Sequence, residues 1–148
     1  MGKALEVTGQ VTRPSMFDFE ALARLPEQVE DIGMLVPGRK GGGVRLSALL
    51  AAVQPQPGAT HIALESDDQT FSASVPLEAV AESGVVLYRL GSQALPLQHG
   101  GPFRFLITDA QTCATGGADL CANVKFVGRM TISSGPGRDT RPREGDGS

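Results

Sequence analysis

Residues 61–90, HIALESDDQTFSASVPLEAVAESGVVLYRL, decide the fold of this chain. Residues 61–65 and 70–75 alternate between apolar and polar side chains around the turn Ser-Asp-Asp-Gln, which predicts a β-hairpin. Pro76 suits the first turn of a short helix that Gly84 ends, and the apolar run that follows predicts a buried strand. Strands mixed irregularly with short helices predict the α+β class, with a compact mixed β-sheet core.

The residues before this stretch add a strand and two helices. Residues 5–9 alternate as a strand does, and Asp18 is placed to cap a helix over residues 19–25. Residues 46–53 repeat apolar side chains at i, i+3, i+4 and i+7, which is typical of an amphipathic helix. Residues 29–45 fit no single class, because a short apolar segment there is followed by a Pro-Gly turn and a basic glycine loop.

The strand predicted over residues 103–107 carries both core residues and a charge. Its apolar side chains alternate and therefore share one face, and we expect them to form one core. The predicted members from this strand are Phe103, Phe105 and Ile107. Arg104 must then point to the opposite face, where we expect an exposed charge, with contact to an anion as the alternative.

The end of the chain divides into a last strand region and a tail. Residues 124–127 and 129–132 predict one bent strand or two, with a bulge or break at Gly128. The last fourteen residues contain no Val, Ile, Leu, Phe or Met, so burial cannot offset the entropy lost on ordering them. We therefore expect one folded domain, residues 1–134, and a disordered tail, residues 135–148.

Composition and charge exclude several classes of function. The chain has 148 residues and a formal net charge of −3, which creates no field that would attract nucleic acid or an anionic membrane. No apolar run reaches the roughly 18 residues of a membrane span, and no secretory leader is visible, so we expect a cytoplasmic protein. Cys113 and Cys121 are then expected to be reduced thiols, with a disulfide under oxidising conditions as the alternative. We do not expect a zinc site, because it would need four ligands.

Five short motifs, taken in order, resemble those of one family. They are GVRLSALL at 43–50, ESDD at 65–68, VPL at 75–77, LPLQHGGPFRF at 95–105 and VKFV at 124–127. In this order and spacing they resemble the molybdopterin-binding domain of sulfite-oxidase-type oxidoreductases, over roughly residues 5–133. The most specific piece is His-Gly-Gly-Pro-Phe-Arg, which ends at Arg104. The family placement of VKFV implies that Phe126 joins the core predicted for Phe103, Phe105 and Ile107.

The resemblance implies an α+β domain that holds an anionic pterin, molybdopterin. The residues that it assigns to cofactor binding are Arg39, Lys40, Gly42, His99, Arg104, Asn123 and Lys125. The loop of residues 37–43 offers consecutive backbone N–H groups and two cations, which suits a phosphate or pyrophosphate; the alternative is a mobile loop with solvated charges. His99 either donates to a ligand oxygen or only pins its own glycine turn.

The sequence departs from the family pattern at the metal ligand. The family's ligating cysteine should lie ten to twelve residues before Gly43, where the chain reads Asp31-Ile32-Gly33-Met34, and no cysteine occurs before Cys113. Neither a carboxylate nor a thioether combines the charge and softness of a thiolate, so we expect no metal site and no catalysis of the family kind.

Two other functions remain open. One is an active molybdenum oxidoreductase with an unusual ligand such as Asp31, Met34 or Cys121. The other is a cofactor-free scaffold that binds a protein partner. Asp67 and Asp68 are interpreted as residues of the hairpin turn and not as an acid/base pair, and His61 as a solvent-facing residue.

Overall fold

The computed structural model describes residues 4–34, 40–67, 71–81, 84–99, 101–107, 123–124 and 126–135. Its strands are β1 Leu5–Gly9, β2 Ser15–Phe17, β3 Gln28–Val29, β4 Gly42–Arg45, β5 His61–Ser66, β6 Ser72–Pro76, β7 Gly84–Leu90, β8 Gln93–Ala94, β9 Arg104–Ile107, β10 Asn123–Val124 and β11 Val127–Ser133. Its helices are α1 Phe19–Ala23, α2 Leu46–Val53 and α3 Leu77–Val80, and 3₁₀ turns cover Ile32–Met34 and Leu97–His99. The α+β class predicted from the sequence is confirmed.

The strands form two sheets. The first has the order β2-β1-β11-β5-β6, in which β1 and β11 are parallel and the other pairs are antiparallel. The second has the order β10-β9-β7-β4-β3, with β8 paired to β7, and all its described pairs are antiparallel. Because β1 pairs with β11, the two ends of the folded region lie side by side.

The two sheets and the helices enclose the main core. Sheet residues Val7, Leu64, Val86 and Phe105 all belong to it, and α2 adds Leu49. A second, smaller cluster lies on the other face of the second sheet and consists of Val29, Ile32, Val85, Leu87, Leu95 and Leu106. Consecutive residues of β7 alternate between the clusters, so the second sheet is covered on both faces.

Local signals predicted the helices and the hairpin correctly. The Asp18 carboxylate accepts the Ala21 backbone N–H at 2.8 Å and caps α1, which ends two residues before the predicted boundary. The helix predicted over residues 46–53 is α2, and Pro76 directly precedes α3. Strands β5 and β6 pair as the predicted hairpin, although residues 68–70 of its turn lie outside the described residues.

The prediction that Phe126 shares the core is wrong. Its side chain is 40% exposed and its backbone is left-handed, with a φ of 56°. The pairing of β11 with β5 shifts register between Val127 and Arg129, which agrees with the bulge of the two alternatives, bulge or break, predicted at Gly128. The strand predicted over residues 124–127 is wrong, because Val124 belongs to β10 in the second sheet and Val127 begins β11 in the first. Val127 is buried instead, and its N–H donates to the Phe103 carbonyl at 2.8 Å. Phe103, Phe105 and Ile107 do contact one core as predicted.

The remaining predictions about the chain ends and cysteines fall largely outside the described residues. These are the tail after Gly135, the pair Cys113 and Cys121, and Asp68. Within the described ranges, no helix has the length and apolar character required to span a membrane.

Candidate functional site

The residues assigned to cofactor binding are described to different extents. Lys40, Gly42, His99 and Arg104 are described, Asn123 is described by its backbone alone, and Arg39 and Lys125 lie outside the described residues. Three of the five described residues, Gly42, Arg104 and Asn123, lie on strands of the second sheet.

Arg104 is buried, which corrects the expectation that it is exposed. It lies on β9, two residues before the buried Leu106 and therefore on the face of the smaller cluster, and it retains only 7% exposure. Its Nη1 donates to the His99 carbonyl at 3.2 Å. A guanidinium stays charged in proteins, and a buried charge is costly unless it is hydrogen-bonded or paired. Contact of Arg104 with an anion stays a prediction.

The turn that contains His99 is built by backbone contacts. The His99 N–H and the Gly101 N–H both donate to the Pro96 carbonyl, at 3.0 and 2.9 Å. A Cβ at Gly101 would collide with the backbone of Leu95, so this glycine permits a close approach of chain to chain. The turn thus fixes the His99 carbonyl in the position where it meets Arg104.

The glycines of β4 also serve strand packing. A Cβ at Gly42 would lie 2.7 Å from Cζ of Arg89, and a Cβ at Gly43 would collide with the Val86 carbonyl of β7. Lys40, just before the strand, is exposed. Close approach of the β4 and β7 backbones therefore accounts for Gly43, whereas Gly42 lies under the guanidinium of Arg89, and contact of either glycine with a phosphate stays a prediction.

Strand register brings the two predicted segments into one row. Arg104 of β9 and Gly43 of β4 both pair with Leu87 of β7, one on each side. Since neighbouring strands are about 4.8 Å apart, the two Cα atoms lie roughly 10 Å from each other. Asn123 lies on the far side of β9 but outside this row, because it pairs with Leu106, two residues along the strand from Arg104. The His-Gly-Gly-Pro-Phe-Arg segment and the glycine segment thus lie side by side in the second sheet.

The described donor atoms are compatible with an anionic group, and they include no thiolate for a metal. Asp31 uses Oδ1 to accept the Gly33 N–H at 2.9 Å, and Met34 is 82% exposed. In the described parts of the chain no three His, Cys, Asp or Glu residues gather in a way that could hold a metal ion. A pterin with anionic substituents is compatible with Arg104, whereas a thiolate ligand is absent from these residues.

An ion-paired row on the outer face of the first sheet was not predicted from the sequence. Nε of Arg129 lies 3.1 Å from the Glu6 carboxylate and its Nη1 lies 3.7 Å from that of Glu65. These residues and the exposed Asp67 line a cleft of about 220 Å³. Alternation along β11 places Arg129 outward, but only the register of three strands shows which carboxylates face it. Ion pairs between residues on neighbouring strands stabilise a sheet, and this structural role is sufficient to explain the row.

The fold is therefore a mixed two-sheet α+β domain in which a buried arginine lies beside a glycine turn. The model of the oxidoreductase molybdopterin binding domain family matches residues 39–138. This match covers more than half of the chain, and the chain therefore belongs to that family. The resemblance to sulfite-oxidase-type domains is confirmed, and molybdopterin is the cofactor that this family binds.

Two further similarities agree with this assignment. The protein-methionine-sulfoxide reductase catalytic subunit MsrP of Gluconobacter oxydans is 31% identical over 131 aligned residues, which cover 70% of this chain and 40% of that protein. The crystal structure of the sulfane dehydrogenase SoxCD from Paracoccus pantotrophus superposes with a TM-score of 0.63 at 24% identity, and covers 90% of this chain and 39% of that one. At this identity the second similarity shows the fold. The chain spans about two fifths of each of these proteins.

Proposed function

We propose that this domain is a molybdopterin-binding module that lacks the oxidoreductase chemistry of its family. The observation that carries the proposal is the burial of Arg104 at the end of the His-Gly-Gly-Pro-Phe-Arg segment. Family membership supports the pterin, and the chain's own residues support the absence of a thiolate ligand. When bound, the cofactor supplies the molybdenum and its redox chemistry.

Arg104 supports pterin binding through its chemistry. Its guanidinium carries five N–H donors in a planar fork that matches the oxygens of a phosphate. The His99 carbonyl fixes Nη1, so the orientation of the group does not have to be established when a ligand arrives. In a site of low dielectric a charge-assisted hydrogen bond is stronger than in water.

The residues where the family's cysteine would lie support the absence of catalysis. Asp31 is engaged with the Gly33 N–H, and Met34 directs a neutral thioether into solvent. A thiolate binds molybdenum more strongly than a carboxylate or a thioether does. We therefore expect molybdenum near residues 31–34 to be retained poorly.

Retention of the cofactor tests the proposal directly. The full chain is purified from a host that makes molybdopterin with molybdenum in excess; pterin is measured by fluorescence after oxidation and molybdenum by mass spectrometry. We expect bound pterin, little molybdenum, and no turnover of sulfoxide or sulfite. Arg104→Met should lower the retained pterin, while Arg24→Met, the same change at an arginine with 80% side-chain exposure, should not. Pterin-free protein would favour the scaffold, and stoichiometric molybdenum with turnover would favour the enzyme.

A cysteine scan tests the missing ligand separately. Single replacements by Cys at residues 31, 32, 33 and 34 should raise retained molybdenum at one position only, because one thiolate can face a bound metal. Gain at none of the four positions would mean that the pterin pocket itself has been lost.

A further inference from the structure

A half-open cavity lies at the edge of the first sheet, and none of the described residues assigned to cofactor binding lines it. It has a volume of about 450 Å³ and forms where β5 begins, where β6 leads into α3, and beside α2. This volume is in the range of about 300–1,000 Å³ that is typical of small-molecule sites. The proposed function does not use this cavity.

The inner wall of the cavity is apolar. Leu50 of α2 and Leu77 of α3 both belong to the main core and are 8% and 9% exposed, so the wall is held by packing. Ala81, after the end of α3, is half-buried against the same core and leaves the space open because its side chain is small. An apolar group that enters would be removed from water without displacing a core residue.

The rim of the cavity carries three polar side chains, those of Thr60, His61 and Glu78. The Thr60 hydroxyl and Nδ1 of His61 are 2.9 Å apart, and this is the only hydrogen bond of the His61 ring in the described structure. Glu78 is exposed, and its carboxylate makes no hydrogen bond or ion pair with any residue that the structure describes. Among the described residues, the rim therefore presents one carboxylate, that of Glu78, and one ring nitrogen, Nε2 of His61, to which no other residue is bonded.

We propose that this cavity binds a small organic cation, an ammonium group on an apolar body. The apolar body packs on Leu50 and Leu77, and the ammonium donates to the Glu78 carboxylate. A carboxylic acid of the same shape would place its own negative charge beside Glu78, so charge complementarity selects the amine. The Nε2 atom of His61 offers a second polar contact at the rim.

Binding of 2-phenylethylamine to the full chain tests this assignment. Titration into ¹⁵N-labelled protein at neutral pH should produce saturable shifts at the amides of Leu50, His61, Leu77 and Ala81, and 3-phenylpropionate should produce none that saturate. Glu78→Gln should weaken amine binding about threefold, as expected for one solvent-exposed charge contact. Glu20→Gln, which removes a carboxylate from the first turn of α1, should leave binding unchanged.

A blocking variant tests the location. Ala81→Leu places a larger side chain in the cavity and should abolish the saturable shifts while the spectrum stays dispersed. Amine shifts that do not saturate would overturn the proposal, and so would equal binding of the amine and the acid. Binding that survives Glu78→Gln at full strength would overturn it as well, whether or not Ala81→Leu remains folded.

Discussion

The ring of Phe105 fills the space that a side chain at residue 84 would need, and a double-mutant cycle can measure this. Phe105 is fully buried in the main core. A Cβ built on Gly84 would lie 2.7 Å from Cε1 and 2.8 Å from Cζ of the ring, and 2.8 Å from the Val80 carbonyl oxygen. Gly84 begins β7 and pairs with Ile107 of β9, so ring and glycine face each other across neighbouring strands.

These contacts give the expected free energies of unfolding. Phe105→Ala removes a buried ring and leaves a cavity, which costs about 3–5 kcal/mol. Gly84→Ala forces the ring or the carbonyl to move, which costs about 1–3 kcal/mol. In the double variant the new methyl group enters the cavity, so the combined cost should fall short of the sum by about 1 kcal/mol. A typical domain has a total stability of about 5–15 kcal/mol, so the most severe variant still folds if this chain lies in the upper part of that range.

Urea denaturation of the four proteins, followed by circular dichroism, measures this coupling. The m-values must agree, since a change in m would mean that the variants differ in the surface exposed on unfolding. Met16→Ala is a control in which an apolar side chain with 64% exposure is removed, and it should change stability by less than about 0.5 kcal/mol. Additivity of the two core changes within about 0.3–0.5 kcal/mol would refute the reasoning, because the ring then does not occupy the space beside Gly84.

Three other predictions test local features. Asp18→Ala should cost about 1 kcal/mol in urea, because the carboxylate accepts a helix N–H at 2.8 Å, and Asp18→Asn should cost less. Truncation after Ser134 should leave the melting temperature within about two degrees, and a drop several times larger would mean that the tail docks on the core. Gly9→Ala should destabilise more than Gly58→Ala: both glycines have a positive φ, 98° and 93°, but only at Gly9 would a Cβ collide with the backbone of β11. Equal losses in thermal unfolding would contradict that collision.

The parts of the fold that were predicted from the sequence are those with a local signal. Helix α2 repeats its apolar residues at helical spacing, and the β5–β6 hairpin shows both alternation and a polar turn. Each of these patterns involves residues that are neighbours in the chain, so no knowledge of the partner strand was required.

The error at Phe126 has a non-local cause. The family resemblance places Phe126 in the core, but short matching motifs do not fix the face of a residue next to a bulge, because one extra residue moves every following side chain to the other face. Gly128 signalled the bulge, but the burial of Val127 in place of Phe126 depends on the bond from Val127 to Phe103, which the sequence does not reveal. The glycines of β4 are a similar case, since the group that each one accommodates belongs to β7.

The burial of Arg104 shows where the candidate site depends on sheet order. Alternation correctly placed Arg104 opposite the phenylalanines of β9, but it says only which face a residue occupies and not whether that face is covered. A signal was present in β7, where residues 85–88 are continuously apolar, because such runs are typical of strands buried on both faces. A strand that pairs with β7 is covered by the same two clusters, one on each face of the sheet. Strand β9 pairs with β7, and Arg104 lies opposite Leu87, which belongs to the smaller cluster. Once the pairing of β7 with β9 is known, the burial of the arginine follows. The burial of the arginine in the most specific motif is thus determined by the neighbouring strand β7, although β7 contains no residue of the five motifs.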